Sequence, residues 1–233
     1  MRRGGTAALM AVAGILLAAC QARPGEPQEV GSPPPVSSVS PGGETGSPQA
    51  SPAAPSSPAA PAPPLSPEAQ ARLDQELIAA AKANDAPRAA GLIGRGGNVN
   101  AKDSIQDSAF LYSGAEGFNE VLQLTLAAGA DVTSTNRYGG TALIPASEHG
   151  HVETVKILIA AGVPVNHVNK LGWTAMQEAI LLNDGGPRQQ EVVRLLLDAG
   201  ADPGIRDPEG RTALQNAERL GFGEMAALIR GRG

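Results

Sequence analysis

The chain has almost no cysteine: Cys20 is the only one in 233 residues. No internal disulfide can form, so a fold exported to an oxidising compartment must be held by packing alone. Histidine is nearly as scarce, limited to His149, His151 and His167, which leaves little material for a nitrogen-ligated metal centre. Aromatic residues make up 3% of the chain, with one Trp, two Tyr and three Phe, so any core is built mainly from aliphatic side chains. Basic charge is not in excess either. From Ser66 onward there are 15 Lys+Arg against 20 Asp+Glu, with the signs interspersed. A nucleic-acid surface needs a basic stripe, and none is present, so no nucleic-acid partner is expected. The apolar run from Ala7 to Ala19 is too short to span a bilayer stably.

What the N-terminus does carry is an export pattern. Arg2 and Arg3 precede the apolar run, which has the size of a secretory h-region. The run ends in Leu17-Ala18-Ala19-Cys20, which resembles the lipobox of bacterial lipoproteins. That resemblance implies removal of residues 1–19 as a signal peptide and lipidation of Cys20, palmitate included, as the mature N-terminus. An ordinary signal peptide that happens to hold a cysteine, or an uncleaved anchor, are the plainer alternatives. Several acyl chains anchor stably where one binds only marginally. Gln21, not Asp, follows the cysteine. By the family's sorting rule this implies the outer membrane in a cell with two membranes; the periplasmic face is the expected location, and the sequence leaves an outward orientation open.

Residues 20–65 form the lipid-anchor cysteine and a linker. Thirteen of the chain's 20 prolines lie between Gln21 and Leu65, among Ala, Ser and Gly. Such a segment cannot bury enough apolar surface to offset its conformational entropy, which predicts a disordered, polyproline-biased tether. As a flexible coil it would reach roughly 35–40 Å, and fully extended ~140 Å.

From Ser66 the chain repeats itself. The most complete copy runs from Asn136 to Asn169; a shift of 33 residues carries Thr141-Ala142-Leu143 onto Ser108-Ala109-Phe110 or onto Thr174-Ala175-Met176. Periods in this range mark stacked repeats. The pattern predicts helix pairs at about 66–83 and 86–94, 109–115 and 119–127, a third pair in the template, and two more beyond it. Val121, Leu122, Leu124 and Leu126 are the expected inward face of the fourth helix. The terminal glycines Gly129, Gly162 and Gly200 place five extra residues within 183–190, read as a flexible turn that lengthens one interhelical loop. Asp184-Gly185-Gly186 within it could form a small anion-binding nest of backbone amides. Pro145 should distort the opening turn of its helix. Gln106 stands where the hairpin glycine belongs, so that turn is expected to be irregular.

Gly139-x-Thr141-Ala142-Leu143, Gly150-His151-Val152-Glu153 and Ala161-Gly162 resemble ankyrin repeats. The same features recur in phase at Gly172-x-Thr174-Ala175-Met176, Ala199-Gly200-Ala201-Asp202 and Gly210-x-Thr212-Ala213-Leu214. The resemblance implies an all-α solenoid of about five helix-turn-helix units with connecting β-hairpins, the domain covering 66–233 in units 66–102, 103–135, 136–168, 169–206 and 207–233. The family's Thr-Pro-Leu-His reads Thr-Ala-Leu-Ile, Thr-Ala-Met-Gln and Thr-Ala-Leu-Gln here, so its histidine contacts between repeats are expected to be missing.

No catalytic residue, cofactor site or metal site is legible. His149-x-His151 could be drawn as a metal pair, but His151 fills the Gly-His turn position of the repeat. In ankyrin-like stacks partners dock on hairpin tips and the inner face of the first helices. By motif the tip positions include Arg137, Tyr138, Lys170, Leu171, Trp173, Glu209 and Arg211, and aromatics and Arg are the residue types that anchor interfaces. The expectation is a monomeric, lipid-anchored binding protein of the bacterial cell envelope, not an enzyme, holding an unidentified envelope protein, with support or protection of an envelope enzyme as the role the resemblance implies. The alternative is a hydrolase or metal-dependent enzyme on the same scaffold.

Overall fold

A computed structural model describes residues 65–232. The expected signal peptide, Cys20 and the linker up to residue 64 lie outside the described residues. Five helix pairs follow one another: α1 (Pro67–Lys82) with α2 (Ala86–Gly94), α3 (Ala109–Glu116) with α4 (Asn119–Ala127), α5 (Leu143–Glu148) with α6 (Val152–Ala160), α7 (Ala175–Leu181) with α8 (Pro187–Asp198), and α9 (Ala213–Leu220) with α10 (Gly223–Arg230). The first helices pack against one another in order, and so do the second helices. No strand occurs among the described residues. The connecting arms are closed at their tips by turn bonds instead, such as Asn136 N–H to the Gly140 carbonyl and Gly139 N–H to the Asn136 carbonyl.

The column Leu77, Phe110, Leu143 and Met176, one residue per unit, is fully buried, while Leu214 in the last unit is half-buried. Each pair thus completes its neighbour's core, and the end unit needs less of it. α4 buries Val121, Leu122 and Thr125. Leu124 and Leu126, expected inside, are half-buried and pack at the edge. Thr125 takes the inner place because its hydroxyl donates to the Leu122 carbonyl at 2.8 Å and so enters the core satisfied.

Polar side chains tie the units together at their arms. Asn100 donates to the Gly129 carbonyl and accepts from Asp131 N–H; Asn166 does the same to Gly200 and Asp202. The missing histidine contact is made by glutamine: Gln177 closes a capping box with Thr174, and its Nε2 donates to the Ile205 carbonyl of the next arm at 2.9 Å. A glutamine thus links this unit to the next where the family's histidine is missing.

The turn at Gln106 keeps the form of its neighbours. Gln106 N–H bonds the Asp103 carbonyl and Asp103 N–H bonds the Asp107 carbonyl, at the cost of a left-handed φ of +67° at a non-glycine residue. The expected irregularity is absent because Asp103 Oδ1 also accepts from Ile105 and Asp107 N–H and over-determines the turn.

Pro145 does distort its helix. In α3, α7 and α9 the Ser108, Thr174 or Thr212 hydroxyl accepts from the third following N–H. In α5 Pro145 has no N–H to give the Thr141 carbonyl, which takes Ile144 N–H instead at 3.2 Å. Thr141 Oγ1 is left buried without a partner, and α5 starts one residue later than its counterparts, with Ala142 as its cap.

The insertion also departs from expectation. Aligned on Gly162 and Gly200, α8 begins three residues earlier than α6, so part of the extra length is helix, opened by Pro187 at its first position. The rest is fastened: Asn183 Nδ2 donates to the Glu148 carbonyl, Gln189 Nε2 to Asn183 Oδ1, and Gln190 Nε2 to the Gly185 carbonyl. Asp184 Oδ1 accepts from Gly186 N–H at 2.9 Å, so the proposed anion nest is filled by its own carboxylate.

Candidate functional site

A cleft of 420 Å³ opens between the first helices and the arm tips of the second, third and fourth units. α3 contributes Leu111, Tyr112 and Glu116; α5 contributes Ile144, Pro145 and Glu148, followed by His149; α7 contributes Glu178; and the arms contribute Asp107, Arg137, Tyr138, Leu171 and Trp173. The tips hold their shape because each arm begins with an Asp or Asn whose side chain accepts the N–H groups of its own turn. Asn136 Oδ1 takes Tyr138 and Gly140, and Asn169 Oδ1 takes Leu171 and Trp173. Lys170 N–H donates to the Tyr138 carbonyl at 2.9 Å, linking two successive tips.

Of the seven residues singled out by motif, Arg137, Tyr138, Leu171 and Trp173 line this cleft. Arg137 lies over the Tyr138 ring at 4.8 Å and 3.7 Å from Asp107. Lys170 runs back along the preceding tip, its Nζ donating to the Arg137 carbonyl. Glu209 and Arg211 are not brought to the cleft. Arg211 pairs with Glu209 at 3.0 Å and donates from Nε to Asn216 Oδ1 at 2.9 Å, an internal network of the last unit. The indole N–H of Trp173 is buried and has no acceptor.

One tip residue escaped the sequence reading. Ile105 is 47% exposed, and it stands 33 residues before Tyr138 (52%), which stands 33 before Leu171 (50%). The three form an in-register row of exposed apolar side chains along successive tips. The repeat period itself carries that signal, hidden because Ile105 sits in the turn that lacks its glycine.

The deepest acid in the cleft is Glu178, 5% exposed, with Oε1 accepting from Asn169 Nδ2 at 2.7 Å. Burial, and then the charge of Glu148, push its carboxyl up to about 7. One unit later the pair is reversed: Asn216 Nδ2 donates to Asp207 Oδ2 at 2.8 Å. Burial acts against Asp207 as well, but the Asn216 bond, the Arg211 N–H and the Arg211 charge outweigh it and hold its carboxyl below the ordinary range.

His149 donates from Nδ1 to the Ala115 carbonyl at 2.9 Å, since a carbonyl can only accept. His151 packs edge-on to it at 5.4 Å and against Gly117, and burial lowers its basicity. Among the described residues no group of three or more His, Cys, Asp and Glu is placed to hold a metal ion. The cleft includes His149 and the tips but not Asp184.

The family model described as ankyrin repeats (3 copies) matches residues 77–162 and 110–207, together more than half of the chain. The chain belongs to the ankyrin repeat family. It is 41% identical over 139 residues to the ankyrin repeat protein YahD of Escherichia coli (strain K12), covering 59% of this chain and 69% of that protein. The crystal structure of an ankyrin repeat domain from Acinetobacter baumannii AYE is 56% identical, with a TM-score of 0.67, over 67% of this chain and 80% of the other. EF0377, an ankyrin repeat protein, matches with 40% identity and a TM-score of 0.65 over the same shares. The all-helical ankyrin solenoid read from the repeat is thus the fold of this ankyrin repeat protein.

Proposed function

We propose that this ankyrin repeat protein is a protein-binding module of the bacterial cell envelope, held to the membrane by a lipid on Cys20, and not an enzyme. A single observation supports the binding surface most directly: Ile105, Tyr138 and Leu171 stay half exposed in register beside an open cleft. Aligned exposed apolar side chains of this kind mark interaction sites on soluble folds. The partner is an envelope protein, and an enzyme that the module supports or protects fits the role. The anchor rests on the lipobox-like Leu17-Ala18-Ala19-Cys20.

Two experiments test the two halves. Replacing Ile105, Tyr138 and Leu171 together by serine should abolish cross-linking to the envelope proteins that the parent captures, at unchanged helical circular dichroism. Capture at parental levels would remove the tip row from the interface. Labelled palmitate should enter the parent and not Cys20→Ala; equal labelling of both would refute the anchor.

A further inference from the structure

Glu116, Glu148 and Glu178 all line the cleft, and among the described residues none of the three has a basic side chain in ion-pair range. The fourth carboxylate, Asp107, is already compensated by Lys82 at 3.3 Å and Arg137 at 3.7 Å. The other basic group lining the cleft, His149, spends Nδ1 on the Ala115 carbonyl.

The last unit shows the same place with its charge balanced. Asp207, Arg211 and Asn216 stand in register with Asn169, Trp173 and Glu178. In the last unit the buried acid has Arg211 Nε at 3.5 Å, and the same Nε donates to Asn216 Oδ1. In the fourth unit the acid has moved to the helix, and the position of the arginine is held by Trp173. Among the described residues the cation is therefore absent where its in-register equivalent exists, and the aromatic ring of Trp173 stands in its place. Aromatic rings here do accept cations: Tyr112 carries Lys82 at 5.2 Å and Tyr138 carries Arg137 at 4.8 Å.

We propose that the cleft at Glu178 is a socket for one basic side chain, arginine or lysine, of the bound partner protein. The proposal rests on the binding reading above and specifies its chemistry. The incoming cation takes the role of Arg211, pairing with Glu178 and Glu148 against the Trp173 ring. Removal from water into a half-enclosed cleft strengthens each of these contacts, while the apolar tip row supplies contact area outside it.

Trp173 is the chain's only tryptophan, so its indole N–H gives one isolated resonance in the full-length protein. Titration with N-acetyl-arginine amide and N-acetyl-lysine amide should shift it saturably, at least one of them binding about tenfold more tightly than the neutral N-acetyl-citrulline amide. The tighter of the two identifies the cation. Equal affinity for citrulline amide, or no saturable shift with either cation, overturns the socket. Glu178→Gln combined with Glu148→Gln should erase the preference for the cation over citrulline at unchanged circular dichroism; a preserved preference would equally overturn it. The comparison on the parent protein stands even where that double variant fails to fold. Partner capture that depends on the serine-substituted tip row, together with no cation preference, would sink the socket and leave the binding surface standing; cation preference without capture would do the reverse.

Discussion

Asn169 donates to Glu178, and 38 residues later Asn216 donates to Asp207, so the buried acid–amide pair is conserved in geometry while the acid changes ends. Only the second pair has an arginine beside it. The two acids titrate in opposite directions from their ordinary values: burial and the charge of Glu148 raise Glu178, while at Asp207 burial is outweighed by the Asn216 bond, the Arg211 N–H and the Arg211 charge, which lower it.

Glu178 should make the fold less stable as pH rises. Its carboxyl ordinarily titrates at 4.5 and in the folded chain at about 7, so between these values the folded state binds more protons than the unfolded one. Stability then falls through that window and levels off above it. Glu178→Gln stays neutral and still accepts from Asn169. Well above 7 it should be more stable than the parent by on the order of 1–2 kcal/mol, the full linkage value being reduced by solvent on the cleft side. Below 4.5 the two should coincide. Urea denaturation across that pH range reads the difference, and parallel pH profiles would contradict it.

Thr141 and Thr174 occupy equivalent positions with opposite bonding. Thr141→Val removes an orphaned buried hydroxyl and should be neutral or stabilising by about 0–1 kcal/mol. Thr174→Val breaks a capping box and should cost about 1–2 kcal/mol. Thermal melts of the two variants check the contrast; equal losses would mean that Thr141 is satisfied in solution.

Gln106 holds a left-handed backbone that its neighbours assign to glycine. Gln106→Gly relieves about 1–2 kcal/mol of strain and restores part of that to the unfolded chain as entropy, for a net gain of about 0.5–1 kcal/mol. The reverse change at the equivalent turn, Gly139→Ala, should lose more, because φ is +73° and the new Cβ would sit 2.8 Å from Lys170 Cγ. A denaturation midpoint lowered by Gln106→Gly would contradict the strain.

Leu158 is fully buried in the template unit. Leu158→Ala should cost ~2–5 kcal/mol, the spread reflecting how far the neighbours collapse. In a stack of this kind the loss is felt most in adjacent units, so hydrogen exchange should rise in α4 and α8 before α1 and α10. Uniform exchange across all five pairs would show that the stack unfolds as one block.

The sequence alone determined the period, the helix boundaries to within a residue or two outside the insertion before α8, the disturbance at Pro145 and the glycines that follow α4, α6 and α8, left-handed at φ +84°, +83° and +84° for Gly129, Gly162 and Gly200. These are properties of short stretches: apolar spacing, a missing N–H and a missing Cβ act on neighbours in the chain. It also placed Arg137, Tyr138, Leu171 and Trp173 at the tips, because register is additive along a repeat. Tertiary structure decided what register does not contain. Whether Gln106 breaks its turn depended on Asp103 fastening it, and whether the insertion hangs free depended on Asn183 finding the Glu148 carbonyl. Whether Glu178 is an ordinary surface acid depended on three units closing around it without bringing a cation. The charge of a carboxylate is written in its residue name, but its cost depends on the distance to water and to the nearest opposite charge, and those are set by neighbours one and two repeats away.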